Sequence, residues 1–167
     1  DQPRSRGLGD VYKRQNQELA EKLSYVLGSS VALKFLAQGY HWNVKGPEFY
    51  QFHEFFGEIY EDLETSIDPL AENIRKLGFD APFTLEDYIA LSCVEAKQTN
   101  SDPIAMSSVL YMNLLNVHEK YIAAFDIANA LNKQGIADFL AGRIDQNEKW
   151  AWQLGTTIGV DLSLIHI

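Results

Sequence analysis

The chain has 167 residues, 46% of them hydrophobic, and a formal net charge of −9. That is enough for one domain with a sizeable core, and it is an unfavourable balance for a general nucleic-acid binder. No apolar run is long enough to span a membrane, and the single cysteine, Cys93, excludes an intrachain disulfide and fits a reducing, cytoplasmic compartment.

Residues 1–15, DQPRSRGLGDVYKRQ, show no apolar periodicity. The terminal LSLIHI, residues 162–167, is apolar without continuing a helix. Both read as non-native or disordered flanks, leaving 16–161 as the domain. The leader carries Arg4, Arg6, Lys13 and Arg14 against Asp1 and Asp10, so the domain without it is more acidic still. DNA binding is disfavoured on that ground.

Leu19, Leu23, Val26, Ser30, Leu33, Ala37 and Tyr40 recur at steps of four and three, which predicts a first helix from about Asn16 to Asn43. Gly46-Pro47 breaks it. Phe52, Phe56, Ile59, Leu63, Ile67, Leu70, Ile74 and Leu77 then predict a second helix, with Pro47 in its first turn and Gly78 at its end. Thr84 with Asp87 three residues on marks a short capped helix. Ser101 or Asp102 caps a third long helix opened by Pro103, with Leu110, Leu114, Val117, Tyr121, Ala124, Ala128 and Leu131 as its inner stripe. A fourth follows Gln134-Gly135 and runs from about Ile136 to Thr157, facing Ile136, Leu140, Ile144, Ala151, Leu154 and Ile158 inward. The expected fold is all-α, a four-helix bundle with a short extra helix between the second and third long helices.

The chemistry concentrates between His41 and Glu72. Asp68 and Glu72 are four apart on one helix, so their carboxylates share a face. His53 precedes Glu72 by nineteen residues, about 28 Å along a straight helix. Metal ligands must sit about 2.0 to 2.2 Å from their ion. One straight helix cannot bring these groups together, but two antiparallel helices across a two-fold axis can. His41, just before the break, could fold back on His53. The spacing points to a metal site between subunits.

The motif HWNVKGP at His41–Pro47, a second histidine twelve residues on, Asp68-x-x-x-Glu72 and a later K-W-x-W-x-L run at Lys149–Leu154 resemble the Dps proteins, small ferritins. The resemblance covers roughly residues 16 to 160. It implies a ferritin-like bundle in a homo-oligomer, a hollow dodecamer built from two-fold dimers. It also implies ferroxidase sites with His41 and His53 from one subunit and Asp68 and Glu72 from its partner. There Fe(II) would be oxidised by hydrogen peroxide and stored as Fe(III), protecting DNA, with nucleoid association as a further family trait. By the same resemblance, Asp126, Asp138 and Asp145 would line an iron entry pore.

One position departs from the pattern. The family usually has an aspartate four residues after the second histidine, where this chain has Gly57. Glu54, Glu58 and Glu61 are the candidate substitutes, each rotated about 80° or more from the His53 line. The expectation is a weakened or altered ferroxidase site; the alternative is a non-enzymatic shell or DNA-compacting protein whose site has decayed.

Blander readings compete. An isolated histidine is more often a capping or interface residue, and only the set of His41, His53, Asp68 and Glu72 favours ligands. His118 reads as an ordinary bundle or surface histidine, and His166 lies in the suspect end. Trp42 fits a place beside the site and core packing equally. Glu58, Glu61, Asp62 and Glu64 read as a solvated helix face or, in a shell, a cavity lining. No Glu-x-x-His motif occurs, which disfavours a di-iron centre inside one bundle.

Overall fold

The computed structural model describes residues 4–161 and 163. Its helices are α1 (Arg4–Asn43), α2 (Phe49–Lys76), α3 (Leu85–Leu91), α4 (Pro103–Ala130) and α5 (Gln134–Thr157), and no strand occurs among the described residues. The architecture is all-α and ferritin-like. Hairpins α1–α2 and α4–α5 pack together, chiefly through α1 on α4, and α2 meets α5 more lightly. A long crossover carrying α3 joins the two hairpins.

The predicted stripes form the core. All seven seam residues of α1 are buried, as are Phe52, Phe56, Ile59, Leu63, Leu70 and Ile74 of α2. Each such side chain contributes about 1.5–3 kcal/mol when removed from water. On α5 the stripe differs from expectation. Ile144 is only partly buried, and Arg143, Asn147 and Trp150 hold the inner face. The reason for two of them is Asp62 of α2, which accepts hydrogen bonds from both (below).

Local chemistry sets the helix ends. The Asp102 side chain accepts from the Ala105 N–H at 2.7 Å, with Pro103 in the first turn. Thr84 and Asp87 exchange the two bonds of a capping box. At the end of α2, Gly78 donates to Arg75 and Phe79 to Ile74, a Schellman closure that needs the positive φ of 91° at Gly78. Two boundaries move. Pro47 lies in the turn before α2 rather than in its first turn, and the Phe49 N–H closes that turn onto the Gly46 carbonyl. Helix α1 begins at Arg4, not Asn16, because once the helix is nucleated in the bundle no proline interrupts it after Pro3. Gly7–Arg14 of this extension are exposed and bury nothing. The expectation for 162–167 falls, Ser163 apart, outside the described residues.

The crossover is strapped to the bundle. Tyr40 donates its hydroxyl to the Lys97 carbonyl at 2.9 Å, and Asn113 bonds both the N–H and the carbonyl of Glu95. The Lys45 N–H reaches the Ser101 carbonyl at 3.0 Å, so the α1–α2 turn is fixed by the start of α4. Helix α3 crosses α1 at Gly28, where a Cβ would come within 2.8 Å of the Leu91 Cβ. The hairpin that carries both histidines is thus held from the far side of the bundle. No described helix is long and apolar enough to cross a membrane.

Candidate metal centre

His41 lies in the last turn of α1, where backbone carbonyls have no helical partner. His53 lies in the second turn of α2, five connecting residues away. The short turn sets the two helices back to back at this point. His41 Nδ1 lies 2.6 Å from the His53 carbonyl, and His53 Nδ1 lies 2.7 Å from the His41 carbonyl. A carbonyl only accepts, so each Nδ1 carries the proton and donates. In the neutral ring Nε2 then keeps its lone pair, the form in which imidazole binds a metal. The rings stack with centroids 3.7 Å apart and planes 18° off parallel.

Aromatic side chains enclose the pair. Phe49 stacks on His53 at 5.0 Å, and Tyr60 meets the His41 ring edge-on at 5.2 Å. Both imidazoles are half-buried. Near them in sequence, Trp42 and Tyr50 are uncovered, at 64% and 74% exposure. Trp42 is thus mostly solvent-facing and not part of the core.

The other predicted ligands lie elsewhere. Asp68 and Glu72 are exposed on α2, one helical turn apart, with Pro69 between them. The missing Pro69 N–H frees the carbonyl of Thr65, an exposed residue, and the helix continues. Because α2 is one helix from Phe49 to Lys76, His53 stays about 22 Å from Asp68 and about 28 Å from Glu72. No three His, Cys, Asp or Glu side chains converge as a metal site among the described residues of the single chain. Glu54, Glu58 and Glu61 are exposed along the outer side of α2. Asp126 on α4 and Asp138 and Asp145 on α5 are exposed too, and no ion pair or hydrogen bond ties them together among the described residues.

Asp62 does not belong to the solvated face that the sequence suggests. Arg143 donates to it through two nitrogens, each at 2.8 Å, and Trp150 Nε1 donates at 2.8 Å. Burial alone would push this carboxyl up, but the Arg143 and Trp150 hydrogen bonds and the nearby positive charges outweigh it and hold it below the ordinary range. Its partners lie 81 and 88 residues away, so no local pattern marks it. Glu64 remains outside, paired with Lys34 at 3.0 Å. His118 is buried on α4 with Glu148 of α5 3.8 Å from its Nε2.

Known proteins resemble the chain in sequence and in fold. Residues 20–162 match the family model for the ferritin-like domain. The chain is 30% identical to an uncharacterised protein of Haemophilus influenzae over 84% of this chain and 88% of the other. It is 27% identical to DNA protection during starvation protein 2 of Bacillus anthracis, over 83% of this chain and 95% of that one. Among solved structures, the Dps protein of Vibrio cholerae O1, described as a ferritin-like diiron-carboxylate protein, superposes with a TM-score of 0.82 at 26% identity, covering 86% and 91% of the two chains. The bundle is thus that of the ferritin-like class. Within that class, the chain belongs to the Dps family.

Proposed function

We propose that the protein is a miniferritin that binds and oxidises Fe(II) at sites shared between two copies of the chain and stores the product as Fe(III). The observation that carries this reading is the histidine pair, with both Nδ1 atoms committed to carbonyls and, in the neutral rings, both Nε2 lone pairs free. Imidazole nitrogen with carboxylate oxygen is a donor set suited to iron. Asp68 and Glu72 are beyond reach of the pair within one chain, and an antiparallel α2 from a two-fold-related copy would supply their equivalents.

Iron is the substrate, and the protein contributes geometry and charge. His41 and His53 would hold Fe(II); Asp68 and Glu72 would neutralise and bridge it. Hydrogen peroxide would take one electron from each of two Fe(II) and, with two protons, leave as water. Glu58 and Glu61, exposed on α2, would receive ferric ions in an enclosed cavity. Removal of peroxide and Fe(II) together would protect DNA without binding it, in keeping with the net charge of −9.

The uncovered apolar side chains support a homo-oligomer, and the family resemblance alone suggests a dodecamer built from two-fold dimers. Besides Trp42 and Tyr50, α3 and the loop before it expose Phe83 at 82%, Leu85 at 66% and Ile89 at 78%. Apolar clusters of this kind mark surfaces that other chains cover.

Anaerobic Fe(II) titration followed by peroxide, beside a His53→Ala variant, tests the reading. Saturable binding and peroxide-driven oxidation, both lost in the variant, are expected. Equal, slow oxidation in the two proteins would reduce the fold to a non-enzymatic shell.

A further inference from the structure

The glycine in the middle of α2 is costly, about 1 kcal/mol relative to alanine, and its surroundings explain what it gives in return. Gly57 is buried, and the Nδ1–Cε1 edge of the His41 imidazole faces it. A Cβ built there would be 3.1 Å from His41 Nδ1 and 3.2 Å from its Cε1. That is tighter than side chains ordinarily pack, and the ring has little room to retreat. On one side His53 stacks against it at 3.7 Å, and Tyr60 meets it at 5.2 Å. Its Nδ1–H is also tied to the His53 carbonyl at 2.6 Å, the same carbonyl that the Gly57 N–H reaches in the α-helical pattern.

We propose that Gly57 is a positioning residue: by lacking a side chain it admits the Nδ1–Cε1 edge of His41 against α2, where Nδ1–H reaches the His53 carbonyl and Nε2 is turned away toward a divalent transition-metal ion. The inference rests on the intersubunit reading above. The Nδ1 bonds are the outer supports that fix the ring orientation, and loss of such a support costs roughly 10–100-fold in metal affinity.

Cobalt(II) serves as the probe, because its visible absorption reports coordination without turnover. The assembled wild-type protein is expected to take up Co(II) at the histidine pair, and His53→Ala is expected to lower that uptake. Gly57→Ala should weaken Co(II) binding roughly tenfold or more and shift the imidazole 15N resonances of His41 in the metal-free protein. It adds a better helix former, so the fold should persist. In a His41→Ala background the same substitution should leave residual Co(II) binding unchanged, because Gly57 acts only through that ring.

Wild-type affinity with unmoved His41 resonances in Gly57→Ala would overturn the positioning role. Uptake by His53→Ala equal to the wild type would instead remove the intersubunit reading itself.

Discussion

In the sequence Asp62 stands among Glu58, Glu61 and Glu64, and only its depth in the bundle separates it from them. The Arg143 guanidinium is itself nearly buried, so loss of Asp62 strands a charge in the core. Asp62→Ala is expected to cost about 3–5 kcal/mol in urea unfolding, whereas Glu64→Ala, which breaks the half-exposed pair with Lys34, should cost at most about 1 kcal/mol. Equal costs would contradict the assignment. His118 gives a second residue-scale test. Burial pulls its pKa below the ordinary 6.5, only partly opposed by Glu148 and Glu119, so the folded state resists the proton that the unfolded chain accepts. Stability should therefore be unaffected above about pH 6.5 and should fall as pH drops below it, until the folded group also titrates. His118→Leu should flatten that slope. The histidine pair was legible because it is local, two residues twelve apart across a proline-marked break. Asp62 was not, because its partners come from a helix 81 residues on. The part Gly57 plays was legible only as a missing carboxylate, since the ring edge facing it is a matter of packing.

At the scale of elements, periodicity and caps foretold each helix, because burial and capping are short-range requirements. What escaped was where α1 starts, since an exposed helical extension follows no apolar pattern. The polar inner face of α5 also escaped, since a stripe of Arg143, Asn147 and Trp150 is apolar only in part. Helix α3 has seven residues and none of them is buried, so its own capping box carries much of its order. Thr84→Ala should cost about 1 kcal/mol locally. The loss should appear as faster amide exchange over Leu85–Leu91 with little change in the global unfolding midpoint. A global loss of several kcal/mol would mean that α3 anchors the bundle in ways its burial does not indicate.

For the whole molecule, the leader is expected to be separable from the domain. Residues 7–14 extend α1 without covering any core, so a chain beginning at Gln15 should unfold within about 1 kcal/mol of the full chain. Neither form should shift duplex DNA at low salt. The fold and the hairpin that joins His41 to His53 need one chain only, whereas the proposed site needs two. That division can be measured directly. Chains carrying His53→Ala and chains carrying Glu72→Ala should each fail to oxidise Fe(II) with peroxide when assembled alone. Unfolded together and reassembled as a mixture, they should recover about a quarter of wild-type activity, since a mixed two-fold pair rebuilds one of its two sites. A mixture as inactive as its parents, or a parent active by itself, would contradict a site shared between subunits.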